Sequence, residues 1–462
     1  MTESTKPSPS PRRRFALWQG AAALSTLALV PLATGAMASV DASTQEEIAR
    51  FMDVFLEVKS NYVEPVSDDK LIEGAINGML ASLDPHSGYL DARGFSNLRT
   101  QTDGEYGGLG LSVTMEDGVV KVIAPTADTP AARAGIKAGD YITHINKELI
   151  FGLTLDEAVE QMRGRPGTQI EITVVREGQD KPMELTLTRE IIDLKPVKWE
   201  VKDDVGVLTV TNFSADATRD LKAAMLAVEK SLGRKPRGWV LDLRSNPGGL
   251  LDEAVGISDI FLERGEIVSQ RGRKKSDIER YFAEPGDLAQ GAPVIVLIDA
   301  GSASASEIVA GALQDQHRAL VMGERSFGKG SVQTVLPLTD TTALRLTTAR
   351  YYTPSGRSVQ EGGIEPDIRV PQLSDPDYKN RPRFRESDLR RHLINEKKVD
   401  DGLLEKDEKD DPRFAATAEE LKAKGIEDYQ LHYALQTIGR IGPATPQMAQ
   451  GKAPAARPAR RN

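Results

Sequence analysis

The chain has 462 residues, a formal net charge of −9 and a sequence pI of about 5.4, so no phosphate-neutralising surface covers it and nucleic acid is not an expected partner. Hydrophobic residues make up 39% and charged residues 27%, a balance that excludes both wholesale disorder and a multi-span membrane protein. It has no cysteine, which removes disulfides, thiolate nucleophiles and cysteine-ligated metal sites, and its 5 histidines (His86, His144, His317, His392 and His432) follow no metal-binding spacing.

At the N-terminus, Arg12, Arg13 and Arg14 precede an apolar run from Phe15 to Leu32, and Ala36-Met37-Ala38 supplies a small-x-small cleavage pattern. Residues 1–38 therefore read as a signal peptide or N-terminal anchor. Cleavage after Ala38 is the expectation, with an uncleaved membrane anchor as the alternative because the run approaches the roughly 20 residues that span a bilayer. The arginines followed by Phe15 also resemble a twin-arginine signal. Either route implies an exported protein of the periplasm or cell envelope, with possible attachment to the inner membrane.

Residues 44–98 form a helical region: Ile48, Phe51, Val54, Phe55 and Val58 recur at three- and four-residue spacing, and a second helix runs from about Asp68 to Leu83. Asp84-Pro85-His86-Ser87 breaks it. Over residues 99–190 the period changes to two. Leu111, Val113 and Met115 lead through the Asp117-Gly118 turn to the run Val119–Ile123, and Thr154-Leu155-Asp156-Glu157 is a capping box opening a helix through Met162. A compact β-rich domain with a helix near its end and a glycine-rich start describes a PDZ domain. Such a domain holds a ligand's terminal carboxylate in a nest of backbone amides, and Gly108-Leu109-Gly110-Leu111 resembles that loop.

Residues 196–371 alternate strands with helices: strands at Val205–Phe213, Gly238–Leu243, Pro293–Ala300, Ala319–Gly323, Ser331–Leu338 and Ala343–Tyr352, and helices at Arg219–Leu232, Leu250–Leu262 and Ala303–His317. Strands this apolar are expected to be buried on both faces. Residues 372–441 form a charged and helical region, with a charge run from Glu396 to Asp411 and helices at Ala415–Lys424 and Asp428–Ile438. Residues 442–462, rich in Pro, Ala and Arg, are expected to be a disordered tail.

The strand ending at Ala300 runs into Gly301-Ser302-Ala303-Ser304-Ala305-Ser306-Glu307, a strand-turn-helix corner of the kind that displays a nucleophile. A serine hydroxyl needs a base, and since no histidine has an obvious claim, a desolvated lysine such as Lys329 between Gly328 and Gly330 is the candidate. A serine run before a helix is equally a capping pattern, a lysine between glycines equally an exposed loop, and spacing does not choose among the three serines.

Two further stretches carry a resemblance. Gly301–Ile308 followed by Gly323-Glu324-Arg325-Ser326-Phe327-Gly328-Lys329-Gly330-Ser331-Val332-Gln333 is similar to the signature of the carboxyl-terminal processing, or tail-specific, peptidases. The likeness extends from about Phe51 to Val370. It includes Ser82–Ser87, the PDZ-like segment, Asp242-Leu243-Arg244-Ser245-Asn246-Pro247-Gly248-Gly249 and Tyr351–Arg357. The resemblance implies that Ser304 is the nucleophile, Lys329 the general base and Gln333 a third residue orienting the lysine, with Ser302 and Ser306 at the helix start. Backbone amides of Ala305 and Gly248, with Gly249 beside it, are the candidate oxyanion donors.

The expected architecture is α/β and multidomain: an N-terminal helical segment, a PDZ-like β-rich domain, an α/β peptidase core of the crotonase-like type, and a helical, partly disordered C-terminal region. The expected function is an exported serine endopeptidase that binds a substrate tail on the PDZ-like domain and cleaves near the C-terminus through an acyl-enzyme. It would need no metal or organic cofactor, and an adaptor protein is an open partner. The rivals are a non-catalytic periplasmic scaffold displaying the PDZ-like domain, and a crotonase-like acyl-thioester enzyme, whose fold class also builds oxyanion holes from backbone amides.

Overall fold

The computed structural model describes residues 41–179, 181–381, 383–397 and 411–441. Residues 1–38, read above as a signal peptide or anchor, most of the Glu396–Asp411 charge run and residues 442–462 lie outside the described residues. Among the described residues no helix is long and apolar enough to cross a membrane. Contacts divide the chain into residues up to Gly78 and residues from Met79 onward.

In the first unit, α1 (Ala42–Asn61) starts where the Asp41 carboxylate accepts the Thr44 amide at 2.9 Å. The expected apolar stripe is present, but no residue of this helix is buried, and Phe51 and Phe55 lie against each other with ring centroids 6.5 Å apart. Helix α2 (Asp68–Ala81) follows, with Asp68 and Asp69 placed in its first turn where the helix dipole favours negative charge.

Past the Asp84–Ser87 break come a short strand, β1 (Gly88–Leu90), and α3 (Ala92–Asp103). The β-rich domain then comprises β2 (Glu105–Gly108), β3 (Leu111–Glu116), β4 (Val119–Pro125), α4 (Pro130–Arg133), β5 (Tyr141–Ile145), β6 (Glu148–Leu149), α5 (Leu155–Met162), β7 (Gln169–Val175), β8 (Met183–Thr188) and β9 (Glu190–Asp193). Asp117 and Gly118 both take positive φ, the geometry a tight β3–β4 hairpin requires. The predicted capping box of α5 is formed by Thr154 and Glu157. Inward-facing Val120, Val122, Ile142, Ile170 and Ile172 pack with Ala158 and Met162. Strands β2 and β9 pair antiparallel, so the chain enters and leaves this domain through one neck, which the Leu194 amide extends by bonding Gly104 O at 2.8 Å.

The core comprises β10 (Val197–Lys202), β11 (Val205–Val210), α6 (Ala217–Leu232), β12 (Gly238–Asp242), α7 (Leu251–Asp259), β13 (Glu266–Gly272), β14 (Ile278–Phe282), β15 (Val294–Ile298), α8 (Ala305–Asp315), β16 (Leu320–Gly323), β17 (Ser331–Pro337), β18 (Ala343–Tyr352), β19 (Ile368–Arg369), α9 (Ala418–Ala423) and α10 (Tyr429–Ile441). One sheet has the order β10-β11-β12-β15-β16-β19, parallel except for β10. Every residue of β12 and β15 is buried, as unbroken apolar runs covered on both faces must be. Leu241 and Val296 face α6, α7 and α8, while Val240 and Ile295 face Leu431, Ala434 and Ile438 of α10. The C-terminal helix is thus half of the sandwich and not an appendage of it.

One expectation needs correction, and two strands had gone unread. Strands β17 and β18 do not join the buried parallel sheet; they form an antiparallel one, ordered β1-β18-β13-β14 with β17 also on β18. The reason lies in Thr334, Thr347, Thr348, Arg345 and Arg350, which interrupt the apolar runs and leave most positions of both strands only partly covered. Strands β13 and β14 carried no sequence signal, because Gln270, Arg271, Glu279 and Arg280 break any clear alternation.

Helix α10 is fastened through charge. Arg244 donates to both carboxylate oxygens of Asp428 at 2.9 and 2.7 Å, and to Asp242 at 2.9 and 2.6 Å. Burial raises the Asp428 carboxyl, but the bonds and charge of Arg244 outweigh it and hold the group at about 2. A depressed acid contributes stability that is fully present above its unfolded value near 3.8 and lost as pH falls through about 2. Asp428→Asn should therefore cost roughly 1–3 kcal/mol at neutral pH, with the difference from wild type vanishing below about pH 2. Urea unfolding across that range checks it.

Candidate active site

Strand β15 delivers the chain to a turn that Asp299 organises, its carboxylate accepting the Gly301 amide at 2.9 Å and the Ser245 amide at 2.7 Å. The three serines then separate. Ser302 Oγ donates to Leu243 O at 2.8 Å and Ser306 Oγ to Asn246 O at 2.9 Å, and both residues are fully buried. Ser304 between them is partly exposed. Its φ of 54° and ψ of −112° are a conformation that side-chain-bearing residues seldom adopt, at the corner where strand turns to helix.

Glu307, one turn into α8, is fully buried and gathers the site around its carboxylate. Oε1 accepts Ser326 Oγ at 2.6 Å and the Gly328 amide at 2.7 Å. Oε2 accepts the Ser304 amide at 2.8 Å and the Lys329 amide at 3.0 Å. Burial pushes its carboxyl up to about 7 against the pull of these donors. The Tyr351 hydroxyl lies against Ser304 O and Lys329 O, bracing the same two backbones.

Lys329 sits in the loop this carboxylate holds. Burial pushes its ammonium below the ordinary lysine range. The negative charges of Glu386, Glu307 and Asp84 oppose that shift, and Arg345 reinforces it. Gln333 lies on β17, where Nε2 donates to Ser331 Oγ at 3.0 Å and Thr347 Oγ1 at 3.2 Å; Lys329 is not among its hydrogen-bond partners among the described residues.

The Asp84–Ser87 loop reaches the same place. Asp84 accepts the His86 and Ser87 amides, both at 2.8 Å, and Thr347 Oγ1 at 3.1 Å, so one threonine joins this loop to Gln333. His86 Nε2 lies 2.9 and 2.8 Å from the two oxygens of Glu386.

Gly248 is pressed against the Ser304 corner. A methyl group there would stand 2.8 Å from Ser304 Cβ and 2.9 Å from Ala305 N, and φ is +100°, so both space and backbone demand glycine. Its amide donates to Asn246 Oδ1 at 2.9 Å. The Ala305 amide stands at the first position of α8, where N–H groups have no partner within the helix.

In the β-rich domain, Leu109 is buried and its carbonyl accepts the Ala131 amide at 3.0 Å, while Gly110 O accepts Thr126 N at 2.8 Å. Gly110 takes φ +76° beneath Thr129. Gly108 closes β2 and Leu111 opens β3, and Leu111 packs at the rim of the cluster that holds Ala158 and Met162 of α5. Among the described residues no cluster of three or more His, Cys, Asp or Glu side chains is arranged to hold a metal ion.

Two residues of the site escaped the sequence reading. Glu307 stood in the quoted motif without a role, and the Ser-x-x-Glu capping spacing from Ser304 was the signal that pointed to it. Glu386 carried no signal, being one acid among many in a charged segment.

Comparison with known proteins agrees with this architecture. Residues 204–370 match peptidase family S41, residues 107–187 a PDZ domain, and residues 30–94 the activating protease CtpB N-terminal domain. The chain is 50% identical to the carboxy-terminal-processing protease of Bartonella bacilliformis over 390 residues, covering 83% of this chain and 90% of that one. It is 34% identical to the carboxy-terminal processing protease CtpA of Bacillus subtilis over 328 residues, covering 71% and 69%. The photosystem II D1 C-terminal processing protease is a solved structure with 30% identity and a TM-score of 0.42, covering 68% of this chain and 85% of its own. The chain belongs to the carboxy-terminal-processing proteases of peptidase family S41, and is a serine peptidase that carries a PDZ domain.

Proposed function

We propose that the chain cleaves proteins near or at their C-termini with Ser304 as nucleophile and Lys329 as general base. The observation that carries this reading is the buried Glu307 carboxylate, which takes the amides of both residues on one oxygen and so fixes the two loops to each other. Ser304 Oγ attacks the peptide carbonyl carbon and its proton passes to the neutral Lys329 amine. The Ala305 amide receives the oxyanion, joined by Gly248 as its N–H turns from Asn246 Oδ1 to the substrate. The ammonium then returns the proton to the departing amine, leaving an acyl-Ser304 ester. Water, deprotonated by the same lysine, releases the acid and frees Ser304. Gln333 orients the lysine in this scheme once substrate rearranges its bonds to Ser331 and Thr347.

Because the base must be neutral, kcat/KM should rise with pH through the lowered lysine value and fall away on its acid side. Ser304→Ala and Lys329→Ala should each lose about a thousandfold or more in cleavage of an unstructured polypeptide. Gly248→Ala should lose about a hundredfold or more by crowding the oxyanion site. Equal cleavage by wild type and Ser304→Ala would reject the nucleophile, and no cleavage by either would favour the scaffold.

We further propose that the Gly108–Leu111 loop holds the substrate's terminal carboxylate. Its support is that the carbonyls of Leu109 and Gly110 are bonded into the domain. That arrangement leaves the amide side of the loop for an anion. With the Ser304→Ala protein to prevent turnover, amidating a peptide's C-terminus should weaken binding about tenfold or more in calorimetry.

Export is the third part of the proposal, resting on the Arg12–Ala38 segment. Protein recovered from the cell envelope should begin at Ser39, which N-terminal sequencing reads directly.

A further inference from the structure

The segment between β19 and α9, residues 383–397, bonds to the lysine loop and brings a buried acid to it. The Glu386 amide donates to Phe327 O at 3.1 Å. Its carboxylate accepts Gln360 Nε2 at 3.0 Å, and Gln360 Oε1 in turn accepts the Gly330 amide at 3.0 Å. Both flanks of Lys329 are therefore tied to one residue, whose side chain is 0% exposed. The remaining bonds of that carboxylate go to His86, whose side chain is 16% exposed and whose carbonyl accepts Arg345 Nε at 2.8 Å. A second histidine–glutamate contact, His392 to Glu361 at 2.7 Å, pins the far end of the segment, and the Glu361 amide bonds Gly328 O at 2.8 Å.

Resting on the assignment of Lys329 as base, we propose that His86 and Glu386 form a charge-balancing pair that governs the proton on Lys329, which makes them positioning residues of the peptidase. The physics is that of two partners, Lys329 and His86, beside one carboxylate. Glu386 exerts the foremost negative field on Lys329, favouring the ammonium, which cannot act as a base. The His86 ring, bonded to both oxygens of that carboxylate, sets how much of its charge reaches the lysine. The other charges around the lysine are Glu307, Asp84 and Arg345. Those within reach of Glu386 besides the lysine are His86, His392 and Tyr351. Of these groups, only His86 has a ring bonded to the Glu386 carboxylate.

Opposite signs make this testable. Glu386→Gln keeps the shape and the acceptor for Gln360 but removes the charge, so the acid limb of the kcat/KM profile should move to lower pH by about one unit. His86→Gln leaves the carboxylate unbalanced, and the limb should move to higher pH by about one unit. The double variant should return toward wild type, since the pair acts as one. All are measured in the full mature chain on a fluorogenic peptide, with thermal melts alongside; if one variant fails to fold, the other still fixes the sign. A purely structural role would lower kcat without moving the limb, and shifts of the same sign or none, with Lys329→Ala inactive, would overturn this inference while the dyad stands. Full activity in Lys329→Ala would overturn both.

Discussion

A single buried carboxylate holds the reactive region together. Glu307 has five donors on two oxygens, and two of these are the amides of Ser304 and Lys329, residues 25 positions apart in the chain. A carboxylate in a dry interior is costly unless donors surround it, and here they are mostly main chain. Main-chain donors cannot rotate away, so they convert that cost into position. The loop that carries Lys329 has no helix or strand of its own between Gly323 and Ser331, and its place is set by this carboxylate, by Tyr351 and by the residues around Gln360.

The same logic explains why the lysine is anchored by its backbone. Glu307 bonds the Lys329 amide, not its ammonium, so the side chain is delivered to the site without being neutralised by an ion pair there. Burial can then lower its proton affinity, which a direct salt bridge would have raised. Ser304 is treated similarly: its amide is fixed, its backbone is held at φ 54°, and its hydroxyl side remains partly open while Ser302 and Ser306 are spent on Leu243 and Asn246.

How much of this was legible in the sequence depends on the range of the signal. The parallel sheet was readable because continuous runs such as Val294–Ile298 tolerate no other environment than burial on two faces. The hairpin at Asp117-Gly118 and the α5 capping box were readable because their chemistry is local. Strands β17 and β18 misled because periodicity reports that a strand exists, not which sheet receives it. Ser304 could not be told from Ser302 and Ser306, since what separates them is the position of Leu243 and Asn246, about sixty residues upstream. Glu386 was invisible for the same reason: its partner His86 is 300 positions away.

That distance has a structural consequence. The site is assembled from the Asp84–Ser87 loop, the core loops around Gly248, Ser304 and Lys329, and the segment at Glu386, and α10 closes the far face of the sheet through Arg244 and Asp428. Arg244 is two residues from Asn246, whose side chain bonds Gly248 N and Val210 O and whose carbonyl receives Ser306. The C-terminal helix and the glycine turn beside Ser304 are therefore parts of one bonded path. Loops on a rigid sheet ordinarily carry function because the scaffold does the positioning. Here the Asp84–Ser87 loop and the residues after β19 supply part of the scaffold, and two acids that composition alone would class as solvated charge are drawn into it, Glu386 fully buried beside the lysine loop and Asp428 half-buried against Arg244.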